Sequence, residues 1–286
     1  MSRILSIAVV AAAAMMAGPA AAVVRTRAVA YKDGRTVLEG FLAYDDAAGK
    51  PGPAVLVVHE WWGLNAYAKT RDRQLAGMGY VAFAVDMYGK GVLAMNRTQA
   101  RKLAGNVRSN RKLMRRRILA ALNVVKSNPR VDAKRIAAMG YCFGGTVVLE
   151  LARSGADVAG VVSFHGGLGK RDSTDRTRIK SKVLVLTGAD DRSVPMPKLA
   201  AFADEMRQGK VDYQIIIYGG AVHSFSNPLS GNNPSSNVAY NVKADKRSWQ
   251  AMKGFFVEIL SQAPRPAAAV SRVGSALRPR HAKKQS

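Results

Sequence analysis

Short apolar runs recur along this chain, each separated from the next by helical patterns, and that alternation limits what it can fold into. Pro53–Val58 (PAVLVV), Val81–Val85 (VAFAV), Ile136–Met139, Val158–Phe164 and Val183–Thr187 contain no Asp, Glu, Lys or Arg. A strand covered on both faces reads as a continuous apolar run, whereas a strand with one wet face alternates. Helical stretches fall at Tyr67–Met78, Arg111–Ser127, Thr146–Arg153, Met196–Arg207 and Asp245–Ser261, and in the second Met114, Ile118, Ala121, Leu122 and Val125 form one stripe. Val24–Tyr31 and Thr36–Tyr44 read as an entry hairpin turning at Asp33-Gly34, and Val211–Tyr218 as a last strand. The pattern specifies an α/β fold, a mostly parallel sheet with helices on both faces. Ser224–Val242, rich in Ser, Asn and Gly, reads as a long loop, and such loops in compact domains tend to be functional.

Two end segments stand outside this pattern. Residues 1–22 carry one charge, Arg3, then an uncharged run over Ile4–Ala17, a break at Gly18-Pro19, and the small-x-small tripeptide Ala20-Ala21-Ala22. This reads as a secretory signal cleaved near Ala22 rather than as a membrane anchor. The mature chain is therefore expected to be exported, periplasmic or secreted, with no stable membrane insertion. Residues 263–286 hold six Lys/Arg and no acid, and read as a disordered basic tail. One domain of 240 residues, 23–262, remains between them.

The lone cysteine excludes a disulfide framework and a multi-cysteine metal site. Its setting is more informative. Gly140-Tyr141-Cys142-Phe143-Gly144-Gly145 follows one predicted strand and opens a helix. That is the context of a G-x-S-x-G nucleophile elbow, with Cys in place of Ser. A helix N-terminus favours thiolate, and the Phe143 N–H is aimed to receive an oxyanion. A nucleophilic Cys needs a base, and the base an orienter. Asp190 and Asp191 follow the strand Val183–Thr187, and His223 follows Val211–Tyr218. Ligands of open α/β sheets bind outside such C-terminal strand ends. Cys142, Asp191 and His223 form the expected triad, with Asp190 as rival for the acid. His59 and His165 also follow strands, and packing or hydrogen bonding is the favoured reading for both.

Together these residues resemble the dienelactone hydrolase family of α/β-hydrolases, over roughly Val24 to Leu260. The motifs are His59-Glu60-Trp61-Trp62-Gly63-Leu64-Asn65, Asp86-Met87-Tyr88-Gly89-Lys90, Gly140–Gly145, Asp191-Arg192-Ser193-Val194-Pro195 and His223-Ser224-Phe225. The resemblance implies the α/β-hydrolase fold and cleavage of an ester or lactone through a thioester acyl-enzyme. It implies Cys142 as nucleophile, Asp191 as acid, His223 as base, Glu60 as a carboxylate helping to form the thiolate, and Trp61 as donor of the second oxyanion N–H. The family's best-known members hold a substrate carboxylate with two arginines. Lys90 and Asn227 stand at those positions here, so a weakened carboxylate clamp is expected.

The net charge of +25 comes from 44 Lys+Arg against 19 Asp+Glu. Twelve of those positives lie in the acid-free interval between Asp86 and Asp132. Arg108, Arg111, Lys112 and Arg115 are expected on one helix face, read as solvated in preference to an anion-binding patch or a charged rim over the active site. A second class of function is a non-catalytic domain of this fold binding an anionic envelope component, with weak polyanion contact through the basic segment and tail. Nucleic-acid motifs, a nucleotide loop and a metal-ligand cluster are absent from the sequence, so no nucleic acid and no cofactor are expected. The expected partner is a small ester or lactone, and the expected state is a monomer.

Overall fold

The uncharged runs form the middle of one sheet. In the computed structural model, which describes residues 23–169, 175 and 178–261, eight strands lie in the order β1-β2-β4-β3-β5-β6-β7-β8. They span Val24–Asp33 (β1), Thr36–Asp45 (β2), Gly52–Val58 (β3), Val81–Val85 (β4), Val131–Tyr141 (β5), Gly160–Phe164 (β6), Lys182–Gly188 (β7) and Tyr213–Tyr218 (β8). The entry hairpin β1–β2 is antiparallel, and β2 joins β4 antiparallel. All other pairings are parallel. The expected signal segment 1–22 and tail 263–286 lie outside the described residues.

Side-chain alternation sorts the core into two layers. Leu56, Val58, Phe83, Val85, Ile136, Ala138, Val183 and Val185 point to one face. There they meet α3 (Arg111–Lys126), α4 (Phe143–Arg153) and α5 (Met196–Gln208). Val55, Val57, Ala82, Ala84, Ala137, Met139, Leu184 and Leu186 point to the other, against α1 (Ala66–Ala76) and α6 (Val242–Leu260). The stripe predicted on α3 is the stripe it buries. This is the α/β-hydrolase fold.

The basic interval departs from expectation. Arg97–Arg108 is a separate helix, α2, capped by Asn96, and Asn110 caps α3 by accepting from the Leu113 N–H. Arg108 therefore sits on a different helix from Arg111, Lys112 and Arg115. Nor is the α3 face simply solvated. Arg111 and Arg115 pair with Glu150 and Asp175, while Arg116 and Arg117 pair with Asp33. The carboxylates come from β1, α4 and the segment before β7, so a local reading of charge could not have found them. Among the described residues no helix is long and apolar enough to cross a membrane.

Candidate active site

The parallel strands deliver their candidate residues to one edge. Glu60 lies just past β3, Cys142 directly after β5, Asp191 past β7 and His223 past β8. The turn after β5 is tight enough to require its glycines. A Cβ on Gly140 would lie 2.1 Å from the Gly144 carbonyl oxygen, and one on Gly144 would lie 2.3 Å from that of Val58. Only hydrogen at these positions lets α4 start against the end of β5 and pass beside the end of β3. Cys142 itself takes φ 51 and ψ −108, a conformation that L-residues rarely adopt. Its N–H donates to the Phe164 carbonyl at 3.0 Å and to His165 Nδ1 at 3.1 Å.

The cysteine thiol faces an imidazole that faces a carboxylate. His223 Nε2 lies 3.0 Å from Cys142 Sγ, and His223 Nδ1 lies 2.8 Å from Asp191 Oδ2. Asp191 is buried and also accepts from the Ser193 N–H at 2.8 Å, whereas Asp190 is exposed. Asp191 is thus the acid that reaches the imidazole. Burial disfavours the His223 imidazolium, but the adjacent sulfur and the Asp191 carboxylate outweigh it and hold its pKa well above the usual histidine range. Asp191 is likewise held below the ordinary carboxylate value, its hydrogen bond from His223 overcoming burial. Phe143 is the first residue of α4, so its N–H has no acceptor within that helix. Trp61 lines the same cavity, and its carbonyl receives the Tyr88 hydroxyl at 3.0 Å.

Glu60 is buried beside these groups without a hydrogen bond to the thiol. Its oxygens accept from Ser224 Oγ at 2.5 Å and Asn227 Nδ2 at 2.6 Å. Burial pushes its pKa up in spite of both donors. Asn227 is therefore engaged in holding Glu60, although it reaches the cavity wall. Lys90 does not line the cavity at all. Asp86 folds the turn by accepting from the Tyr88 and Gly89 N–H groups, and Lys90 is left against β2. There its N–H donates to the Val37 carbonyl and its ammonium pairs with Glu39 at 2.9 Å. The structure thus places Lys90, expected as a substrate contact, outside the cavity lining and in an ion pair with Glu39.

His59 and His165 are both fully buried. His59 bonds through Nδ1 to the Glu60 carbonyl, accepts from the Met87 N–H at 3.3 Å, and stacks on Phe143. His165 accepts the Cys142 N–H, so its other nitrogen carries the proton toward Ser226 Oγ at 2.8 Å. Burial holds the pKa of both rings low. Sequence reading missed Ser224, Ser226 and Tyr67, which form the polar shell behind the histidines. For the two serines the signal was present in the polar composition of the loop after His223, but without individual positions, whereas Tyr67 lies far away in sequence on α1. Among the described residues no cluster of His, Cys, Asp or Glu could hold a metal ion.

The cavity above Cys142 is about 750 Å³ and is floored by Cys142, His223 and Glu60, with Trp61, Trp62 and Leu229 among its walls. The thiol, imidazole and carboxylate in line, with a helix N-terminus beside the sulfur, suit nucleophilic attack on a carbonyl. Comparison with known proteins places the chain among hydrolases. The chain is 41% identical to a dienelactone hydrolase-like promiscuous phosphotriesterase from metagenomic libraries, at a TM-score of 0.80, covering 83% of this chain and 99% of that one. It is 29% identical to an Aquifex aeolicus protein named as a carboxymethylenebutenolidase, over 72% of this chain and 87% of that one. A similarly named Yersinia pestis protein is 25% identical over 77% and 84% of the two chains. The model of the dienelactone hydrolase family matches residues 38–260, and the chain belongs to that family of hydrolases.

Proposed function

We propose that this hydrolase cleaves carboxylic esters or lactones with Cys142 as nucleophile, His223 as base and Asp191 as its orienter. The observation that carries the reading is the unbroken line from Asp191 to His223 to Cys142, at 2.8 and 3.0 Å, on the floor of the cavity. His223 takes the thiol proton, and the resulting sulfur anion attacks the carbonyl carbon. The negative charge passes to the carbonyl oxygen, where the N–H groups of Phe143 and Trp61 receive it. Collapse expels the alkoxide, which takes the proton from His223, and leaves a thioester on Cys142. Water, deprotonated by His223, then attacks the thioester, and the released thiolate recovers its place beside the imidazole. In a lactone both fragments remain one molecule, so ring opening gives a hydroxy acid or its keto form. Glu60 supports the site from beneath, through the Ser224 and Asn227 side chains next to His223.

Replacement of Cys142 by Ala is expected to reduce turnover of p-nitrophenyl acetate to background. It leaves the cavity and the fold intact, because it removes only the sulfur from a side chain that is already small. Turnover in that variant equal to the parent's would overturn the assignment of Cys142.

A further inference from the structure

One wall of the cavity is more basic than its chemistry at Cys142 requires. α2 supplies Arg97, Arg101 and Arg108 to the lining. Spacings of four and seven residues put the three on one face of the helix, beside the buried stripe Ala100, Ala104 and Val107. The neighbouring arginines differ in one respect. Arg111, Arg115, Arg116 and Arg117 of α3 all have carboxylate partners, whereas among the described residues no ion pair involves Arg97, Arg101 or Arg108. Positive charge is balanced where the helices pack and left unbalanced where they face the cavity. Like charges along one helix face repel unless an anion lies between them.

Among the described residues no carboxylate of the cavity lining is ion-paired with these arginines. Glu60 is the carboxylate in that lining, and both of its oxygens are taken by Ser224 and Asn227. The two positions expected to grip a substrate carboxylate are occupied otherwise, Lys90 by Glu39 and Asn227 by Glu60. The arginine stripe reaches the reacting end of the cavity, since the Arg108 guanidinium lies over the Phe143 ring, 5.5 Å from its centroid. Phe143 adjoins Cys142. Guanidinium groups suit carboxylate and phosphate oxygens because their N–H forks match two oxygens at once.

We propose that the α2 wall is an anion subsite, in which Arg97, Arg101 and Arg108 hold an oxyanion group carried by the ester or lactone substrate. The inference rests on the reading of this cavity as the site of ester cleavage. The subsite selects substrates that bear a carboxylate or a phosphate away from the scissile carbonyl, and it draws them toward Cys142 along an unneutralised face.

The test compares mono-p-nitrophenyl adipate with p-nitrophenyl hexanoate, which match in chain length and differ in a terminal carboxylate. In the parent enzyme, kcat/KM for the adipate ester is expected to fall with added NaCl more steeply than for the hexanoate ester. In Arg97→Gln/Arg101→Gln/Arg108→Gln, the adipate-to-hexanoate ratio is expected to drop roughly tenfold through KM, a few-fold for each exposed arginine. Because the readout is a ratio within one preparation, partial loss of folded protein does not mimic it. Lys102→Gln, on α2 but outside the cavity lining, controls for loss of general positive charge and is expected to leave the ratio unchanged. Free succinate and inorganic phosphate as competitors separate the two oxyanions, and competition by either supports the subsite. An unchanged ratio in the triple variant together with no competition by either anion would overturn it. Failure of the ester-cleavage reading looks different, because neither ester would then depend on Cys142.

Discussion

At the scale of single residues, the proposed chemistry depends on two contacts to one imidazole ring. To take the thiol proton, His223 needs an unprotonated nitrogen toward sulfur, and Asp191 favours that tautomer by accepting the proton on the other nitrogen. Asp191→Asn replaces that acceptor by an amide whose N–H can face the ring and favour the wrong tautomer. It is expected to lower kcat for p-nitrophenyl esters by about 10²–10⁴-fold, whereas Asp190→Asn, at an exposed carboxylate, is expected to leave kcat within about twofold. The reverse ranking would make Asp190 the acid. The sequence could point to Cys142, Asp191 and His223 because each follows a predicted strand and the glycines flank the cysteine. It could not place Lys90, because the direction of that side chain is decided by Glu39 on β2, and β2 reaches it only through the antiparallel pairing with β4. The role of Asn227 was hidden for the same reason, since its partner Glu60 is separated from it by most of the chain. The tautomer of His165 was equally out of reach, because it follows from the Cys142 N–H arriving from the neighbouring strand.

At the scale of elements, the basic helix α3 is fixed to the molecule by acids that lie beneath it. Glu150 on α4 accepts from Arg111 Nε at 3.0 Å, Arg115 Nε at 3.1 Å and Arg153 Nη1 at 3.2 Å. Arg153 is almost completely buried and is also held by both oxygens of Glu205 on α5 at 2.8 Å. One carboxylate thus ties α3 to α4, and through Arg153 the tie extends to α5. Removing one member of such a buried group leaves desolvated charge without a partner, which costs more than the intact pair contributes. Glu150→Ala is expected to destabilise the fold by about 3 kcal/mol, and Glu150→Gln, which keeps an acceptor, by less. Urea denaturation followed by tryptophan fluorescence reads the difference, and an unchanged midpoint in Glu150→Ala would show that the cluster adds no net stability. The helix itself was legible, because its apolar stripe has the right period. Its electrostatic partners were not, and neither was α2. Ala, Gly, Asn and Arg dominate α2, its buried stripe is only Ala100, Ala104 and Val107, and a short small-residue stripe gives little periodic signal.

At the scale of the whole molecule, the net charge of +25 coexists with a set of acids that the fold keeps ionised. Hydrogen bonds and charge from Arg116 and Arg117 hold the Asp33 carboxyl below its ordinary pKa. Burial opposes ionisation of Asp175, but Arg111 and Arg115 overcome it. Asp191 is also held low. A carboxyl whose folded pKa lies below its unfolded value adds stability that is complete above the unfolded pKa and is lost as pH falls through the folded one. With unfolded values near 4, these three groups leave stability level above about pH 5 and withdraw it below about pH 4. His223 acts in the opposite sense. Its raised pKa contributes stability that is complete below the ordinary histidine value of about 6.5 and is lost as pH climbs through the folded value. In acid the protonated carboxylates also stop offsetting the surrounding arginines, so repulsion among the remaining positive charges adds to the loss. The three carboxylates are therefore expected to make the melting temperature fall steeply below about pH 4, on top of the loss that the buried neutral rings of His59 and His165 already impose as pH drops below about 6.5. Asp33→Asn tests the assignment. It cannot ionise, so it is expected to lower the melting temperature at neutral pH while making the fall in acid shallower than the parent's. An acid slope equal to the parent's would mean that the Asp33 pairs with Arg116 and Arg117 do not contribute to the pH dependence of stability.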